Sequence, residues 1–121
     1  MNTKKTLVLG ASENPSRYAN MAVKRLLQYD IPVVAVGYKE GNIEGVKIQK
    51  EFPSREEIDT VTLYLSRKNQ EQYYDDIVAL KPRRVIFNPG TSNPEFEKRL
   101  TENNIDVVPA CTLVMLSTKE Y

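Results

Sequence analysis

The residues able to do chemistry in this chain are few, and one type is missing altogether. There is no histidine. That excludes Ser-His-Asp and Cys-His catalysis, any zinc site needing imidazole, and phosphohistidine chemistry within the chain. Carboxylates, lysines, tyrosines and one thiol, Cys111, remain for acid–base work. The chain does carry a set of residues suited to holding an anion. Leu7-Val8-Leu9 runs into Gly10-Ala11-Ser12, and Glu13-Asn14-Pro15-Ser16-Arg17-Tyr18 follows. A buried strand, a turn of small residues and a helix start form the opening of a parallel-sheet nucleotide site. There the free N–H groups of the helix N-terminus face a phosphate. Arg17, just inside the helix start, adds a charge-assisted contact to a pyrophosphate. A plain strand-to-helix turn and an exposed helix arginine are the other readings of these residues.

The elements that position this set follow from periodicity. Lys5 to Leu9 reads as a buried strand closed by Gly10. Ser12 to Ser16 is a turn with Asn14-Pro15 as its breaker, and Ser16 is the expected helix cap. Tyr18, Met21, Ala22, Leu26 and Tyr29 recur at helical spacing, until Asp30 and Pro32 end the helix. Ile31 to Val36 is a second strand, ending at Gly37-Tyr38-Lys39. Gly41 and Gly45 bracket an irregular segment, with Val46-Lys47-Ile48 as a short strand. Pro53 to Glu57 reads as one helical turn. Val61 to Leu65 is a third main strand, ending at Ser66-Arg67, and Asn69 to Leu80 is a helix stopped by Lys81-Pro82. Arg84 to Phe87 is a fourth main strand, ending at Asn88-Pro89-Gly90. Pro94 starts the next helix, with proline at its first position. Ile105 to Val108 is the last strand. Cys111-Thr112 then leads into a short apolar helix, Leu113 to Leu116, which closes the core or covers a dimer contact.

Strand and helix alternate about five times, without repeat or long linker. That pattern predicts a doubly wound α/β fold with a mostly parallel sheet and helices on both faces, in a single domain spanning 1–121. Ligands of such sheets sit outside the carboxyl ends of the strands, where strand order reverses. The reversal is expected between the strand ending at Leu9 and the strand ending at Leu65. The strand ends are small, polar or cationic, and none is acidic.

Bulk composition narrows the partners. The 121 residues carry 17 basic and 16 acidic side chains, a net charge of +1, so no basic excess exists to hold nucleic acid. No stretch reaches the roughly 18 apolar residues of a membrane span. Met1-Asn2-Thr3-Lys4-Lys5 has no apolar run behind it and does not read as a signal peptide. A lone cysteine makes no internal disulfide, so a reducing cytoplasm is the expected compartment.

The ligand class follows from two tests. In the dinucleotide fingerprint G-x-G-x-x-G, Gly10 fills the first position, but Ser12 and Pro15 stand where later glycines belong. NAD binders place an acid after the second strand to accept from a ribose hydroxyl. Tyr38 and Lys39 stand there instead, and a lysine suits a phosphorylated ribose, as in CoA or NADP. A solvated surface lysine is the alternative.

The run V-L-G-A-S-E-N-P-S-R-Y-A-N, the valine-rich second strand, Ile43-Glu44-Gly45, Ile58-Asp59-Thr60-Val61, Asn88-Pro89-Gly90 and Asn104-Ile105-Asp106-Val107-Val108 resemble the stand-alone CoA-binding domain family. That Rossmann-like fold is also seen at the N-terminus of the succinyl-CoA synthetase alpha subunit. The resemblance covers nearly the whole chain. It implies that Ser12, Arg17 and Tyr18 hold the phosphates of coenzyme A. Ser66 and Arg67 fit the hydroxyl or basic residues after the third main strand, and Cys111 matches the family cysteine. The chain departs from the family at Gly37-Tyr38-Lys39, usually Asn-Pro, and at Phe87-Asn88-Pro89-Gly90, where tryptophan and glutamine are frequent.

The synthetase also needs a phosphorylatable histidine from another domain. The expected function is therefore binding of CoA or acyl-CoA without intrinsic catalysis, with the ligand sensed, stored or presented to a protein partner. An NADP-binding oxidoreductase and a ligand-free interaction module are the competing readings. Cys111, at a strand end beside a helix start, is placed either for a reactive thiol or as a small buried hydrophobe.

Overall fold

The computed structural model describes residues 4–121; Met1-Asn2-Thr3, part of the segment read as lacking a leader, lies outside the described residues. β1 (Thr6–Leu9), β5 (Thr60–Leu63) and β6 (Arg84–Phe87) are buried along their whole length. A strand covered on both faces has no need to alternate polar with apolar residues, so these read as near-continuous apolar runs. β2 (Val33–Val36) and β7 (Asp106–Pro109) are less enclosed. With β3 (Gly41–Ile43) and β4 (Val46–Gln49) they form one seven-stranded sheet of order β3-β4-β2-β1-β5-β6-β7. Every pairing is parallel except β3 with β4.

Helices cover both faces. Leu7 and Leu9 of β1 point into one core with Leu63, Phe87, Phe96 and Leu100. Val8, between them, points into the other core with Ala19, Val23, Leu26 and Leu116. This two-residue alternation divides β1 between the layer of α3 (Tyr74–Leu80) and α4 (Pro94–Glu102) and the layer of α1 (Tyr18–Gln28) and α5 (Thr112–Ser117). The tail decides its own question: Met115 and Leu116 are buried, so α5 closes the core beside α1. Among the described residues no helix is long and apolar enough to cross a membrane.

Several expectations are corrected. The buried stripe of α1 is Ala19, Ala22, Val23 and Leu26, whereas Tyr18, Met21 and Tyr29 are exposed. Small residues let α1 lie close on the sheet and leave the larger rings outside. Ser16 does not cap α1: its hydroxyl donates to Asn14 Oδ1, and the cap position is Arg17. The segment read as irregular is the hairpin β3–β4, turning at Glu44-Gly45, both at positive φ as a two-residue hairpin turn requires. Pro53 to Glu57 forms no helical turn. Ser54 to Glu57 are all exposed, so no packed face repays the cost of nucleating one. The single helix expected over Asn69 to Leu80 is split into α2 (Arg67–Gln70), a 3-10 turn (Glu71–Tyr73) and α3.

Far from the strand carboxyl ends, Arg83 makes a paired contact with Asp59, Nε to Oδ1 at 2.9 Å and Nη2 to Oδ2 at 3.1 Å. Burial alone would raise the Asp59 carboxyl. Hydrogen bonds from Arg83 and Thr60, and the charges of Arg83 and Arg84, outweigh burial and hold it below the ordinary value of 3.8. A depressed folded value means stability that is present above the unfolded value and lost as pH falls through the folded one. Arg83→Ala should cost no more than about 1 kcal/mol near neutrality, since Arg83 is half exposed. The gap from wild type should close in denaturant titrations carried below pH 3.8.

Candidate functional site

The switch point lies where the sequence places it, between β1 and β5, whose neighbours are β2 and β6 respectively. Two glycines shape it. Gly10 has φ 99°, and a Cβ there would lie 2.9 Å from the Tyr64 carbonyl oxygen. Gly37 lets β2 approach the first turn, because a Cβ there would sit 2.4 Å from the Ala11 carbonyl oxygen. Gly37→Ala is expected to cost about 1–3 kcal/mol by overpacking and to displace the Ala11-Ser12 turn. Urea unfolding measures the first effect and ligand titration the second.

The turn is anchored from within. The N–H groups of Gly10 and Ala11 both donate to Val36 O, at 2.8 and 3.0 Å. Asn20 Nδ2, from α1, donates to Ser12 O at 2.9 Å. Asn14 Oδ1 accepts from the Ser16 N–H at 3.0 Å. Among the described residues no side chain caps the start of α1, and Tyr18 and Ala19, its first residues, line the hollow in front of it.

That hollow has a volume of about 610 Å³, within the range of small-molecule sites. It brings together Gly10, Ala11, Ser12, Arg17, Tyr18, Tyr38, Ser66, Pro89 and Gly90. Among the described residues lining it, Arg17 alone is charged. Tyr18 and Tyr38 stand 69% and 87% exposed among its lining residues, without the burial that would make them core residues. A smaller hollow of about 240 Å³ adjoins it, where Arg17 and Lys39 meet Glu13 and Glu40. Glu13 is partly engaged, accepting from the Asn42 N–H at 2.9 Å.

Other expected residues fall elsewhere. Gly37 contributes through its backbone contact with Ala11. Asn88 and Cys111 line a third hollow, between the ends of β6 and β7. The Asn88 side chain is fully occupied: Nδ2 donates to Thr62 Oγ1 and Leu63 O, and Oδ1 accepts from the Thr112 N–H. Arg67 sits exposed as the first residue of α2 and lines none of the three hollows.

Sequence reading missed Ser16, Ala19, Tyr64, Leu65, Asn69 and Thr91 as lining residues. The strand expected over Val61 to Leu65 ends at Leu63, so Tyr64 and Leu65 belong to the cleft wall. The Tyr64 hydroxyl is buried beside the Thr62–Thr112 hydroxyl pair and has no well-formed hydrogen bond. Burial pushes it up to about 12, so it stays neutral and adds no negative charge near an anionic ligand. Behind the wall, Gln70 Nε2 donates to Leu65 O and Thr91 O, at 3.0 and 2.8 Å. Its Oε1 accepts from Asn93 Nδ2 at 3.0 Å, which locks the β5 and β6 loops together.

A family model described as CoA binding domain matches residues 4–117 of this chain. The chain belongs to the CoA-binding domain family. The family supports binding of a CoA-related, nucleotide-like small molecule in general. Among solved structures, an uncharacterized protein is 48% identical over 100% of both chains, with a TM-score of 0.96. A protein from Thermus thermophilus is 26% identical, covering 98% of this chain and 90% of that one, with a TM-score of 0.86. An acetyl-coenzyme A synthetase from Ca. Korarchaeum cryptofilum is 18% identical, over 90% of this chain and 26% of that one. Its TM-score of 0.74 shows a shared fold alone. No curated protein matches the chain. The CoA-binding domain thus has the Rossmann-like α/β architecture expected for it.

Proposed function

We propose that this CoA-binding domain, acting as one domain in the cytoplasm, holds CoA or acyl-CoA without catalysis of its own. The observation that carries this reading is the open cleft at the β1/β5 switch, where Arg17 alone is charged among the described lining residues. The pyrophosphate lies against Ser12, Arg17 and the start of α1, where N–H groups and a guanidinium favour negative charge. Tyr18 and Tyr38 offer ring faces for the adenine. Lys39 and Arg17 together favour a phosphate on the ribose. Ser66 and the Asn88-Pro89-Gly90 loop border the path of the pantetheine arm. With no histidine in the chain and no acid among the described residues lining the main cleft, the protein presents or senses its ligand, handing it to a partner protein.

Thermal unfolding with CoA, acetyl-CoA, NADPH and NADH tests this reading. Ligand at about 100 times its dissociation constant adds roughly 2.7 kcal/mol and raises the midpoint. The expected result is a shift with both CoA species and none with NADH. A shift with NADPH alone would transfer the site to the phosphorylated dinucleotide. No shift with any of them would leave an interaction module.

A further inference from the structure

The hollow between the ends of β6 and β7 is not needed to hold a nucleotide, yet it adjoins the main cleft. Its volume is about 290 Å³, at the small end of ligand sites. Phe87, Pro109, Ala110 and Cys111 give it an apolar wall. Pro89 and Gly90 line both hollows and form the saddle between them. A Cβ on Gly90 would meet nothing within 4 Å, so the saddle is open. Among the described residues lining the smaller hollow, Glu97 alone is charged. One oxygen of that carboxylate accepts from the Asn93 N–H at 2.9 Å, which fixes it at the start of α4.

We infer that this hollow receives a short, uncharged acyl group carried as a CoA thioester. The inference rests on the reading that the main cleft takes the nucleotide end. An arm leaving that cleft across Pro89-Gly90 delivers its thioester to the β6–β7 ends. The apolar wall gains by covering a short hydrocarbon group, since each methylene removed from water is favourable. The small volume excludes long fatty chains. Glu97 sets the sign of the selectivity, because an acyl group ending in a carboxylate would meet a like charge beside the apolar wall.

Calorimetric titration of the intact protein with CoA, butyryl-CoA and succinyl-CoA is the test. Butyryl-CoA should bind about tenfold more tightly than CoA, and succinyl-CoA about tenfold more weakly than butyryl-CoA. Glu97→Gln keeps an acceptor for the Asn93 N–H, so the start of α4 survives. It should bring succinyl-CoA close to butyryl-CoA while leaving CoA unchanged. Ala110→Leu should fill the hollow and abolish the butyryl advantage, again without loss of CoA. Equal affinity for the three ligands in the wild type overturns the acyl hollow and leaves the nucleotide cleft standing. Failure of all three to bind overturns both.

Discussion

Replacing Arg17 with alanine is expected to weaken CoA binding by ten- to a hundredfold. Among the described residues lining the main hollow Arg17 alone is charged, and it also lines the adjoining one with Lys39. It therefore stands where pyrophosphate and ribose phosphate would both come within reach. A charge-assisted hydrogen bond contributes about 1.5–3 kcal/mol, which converts to that range of affinity. Its side chain is exposed and does not cap α1, so stability should change by no more than about 0.5 kcal/mol. Arg17→Lys should lose less, since it keeps the charge but not the planar fork that grips a phosphate. Titration calorimetry, with a melting curve as control, separates binding from folding. An isotherm identical to wild type would remove Arg17 from the site.

Asn88→Leu is expected to have the largest effect on stability, about 2–5 kcal/mol. Asn88 is buried and its amide bridges three elements: β5 through Thr62 and Leu63, its own strand end, and α5 through the Thr112 N–H. Leucine of similar size leaves the Leu63 carbonyl and the Thr112 N–H without partners in the core. Each such buried group costs about 1–3 kcal/mol. That loss is a large part of the 5–15 kcal/mol that holds a domain together. Asn88→Asp should also destabilise at neutral pH, but with a distinct pH profile. A buried carboxylate is driven toward its neutral form, and the neutral acid can again donate to Thr62 or Leu63. With its folded value raised, the variant should gain stability as pH falls toward the ordinary aspartate range. Chemical denaturation at several pH values reads both substitutions. A cost below 1 kcal/mol for Asn88→Leu would show that the brace is dispensable.

These two residues show how differently a site can be written in a chain. Arg17 is legible because its meaning is local: it follows a strand, a glycine turn and a proline, at the start of an amphipathic segment. The same holds for Gly10-Ala11-Ser12, for Asn93-Pro94 at the start of α4, and for the absence of an acid at Tyr38-Lys39. Asn88 stands at a strand end, where the pattern predicts ligand-facing residues. Its amide instead turns inward to Thr62 and Thr112, 26 and 24 positions away. Gln70 gave no signal of its own, although it ties Leu65 to Thr91 behind the cleft. The apolar stripe proposed for α1 counted tyrosine and methionine as core residues. Ala22 and Leu26 are buried as expected, but Ala19 and Val23 complete that face in place of the larger side chains.

The sequence by itself determined the alternation of strand and helix, the parallel sheet, the switch beside β1 and the set of residues suited to an anion. All of these follow from patterns shorter than about twenty residues: apolar runs, glycine turns, helix starts and the charge at strand ends. Only the tertiary structure decided which residues from separate strand ends share one hollow. It also decided that Arg17 joins two hollows, that the Asn88 amide braces β5 and α5, and that Cys111 shares a second recess with Glu97. Those outcomes depend on strand register and on contacts across the sheet. A one-residue change in register moves a side chain to the opposite face, and no local pattern encodes the result.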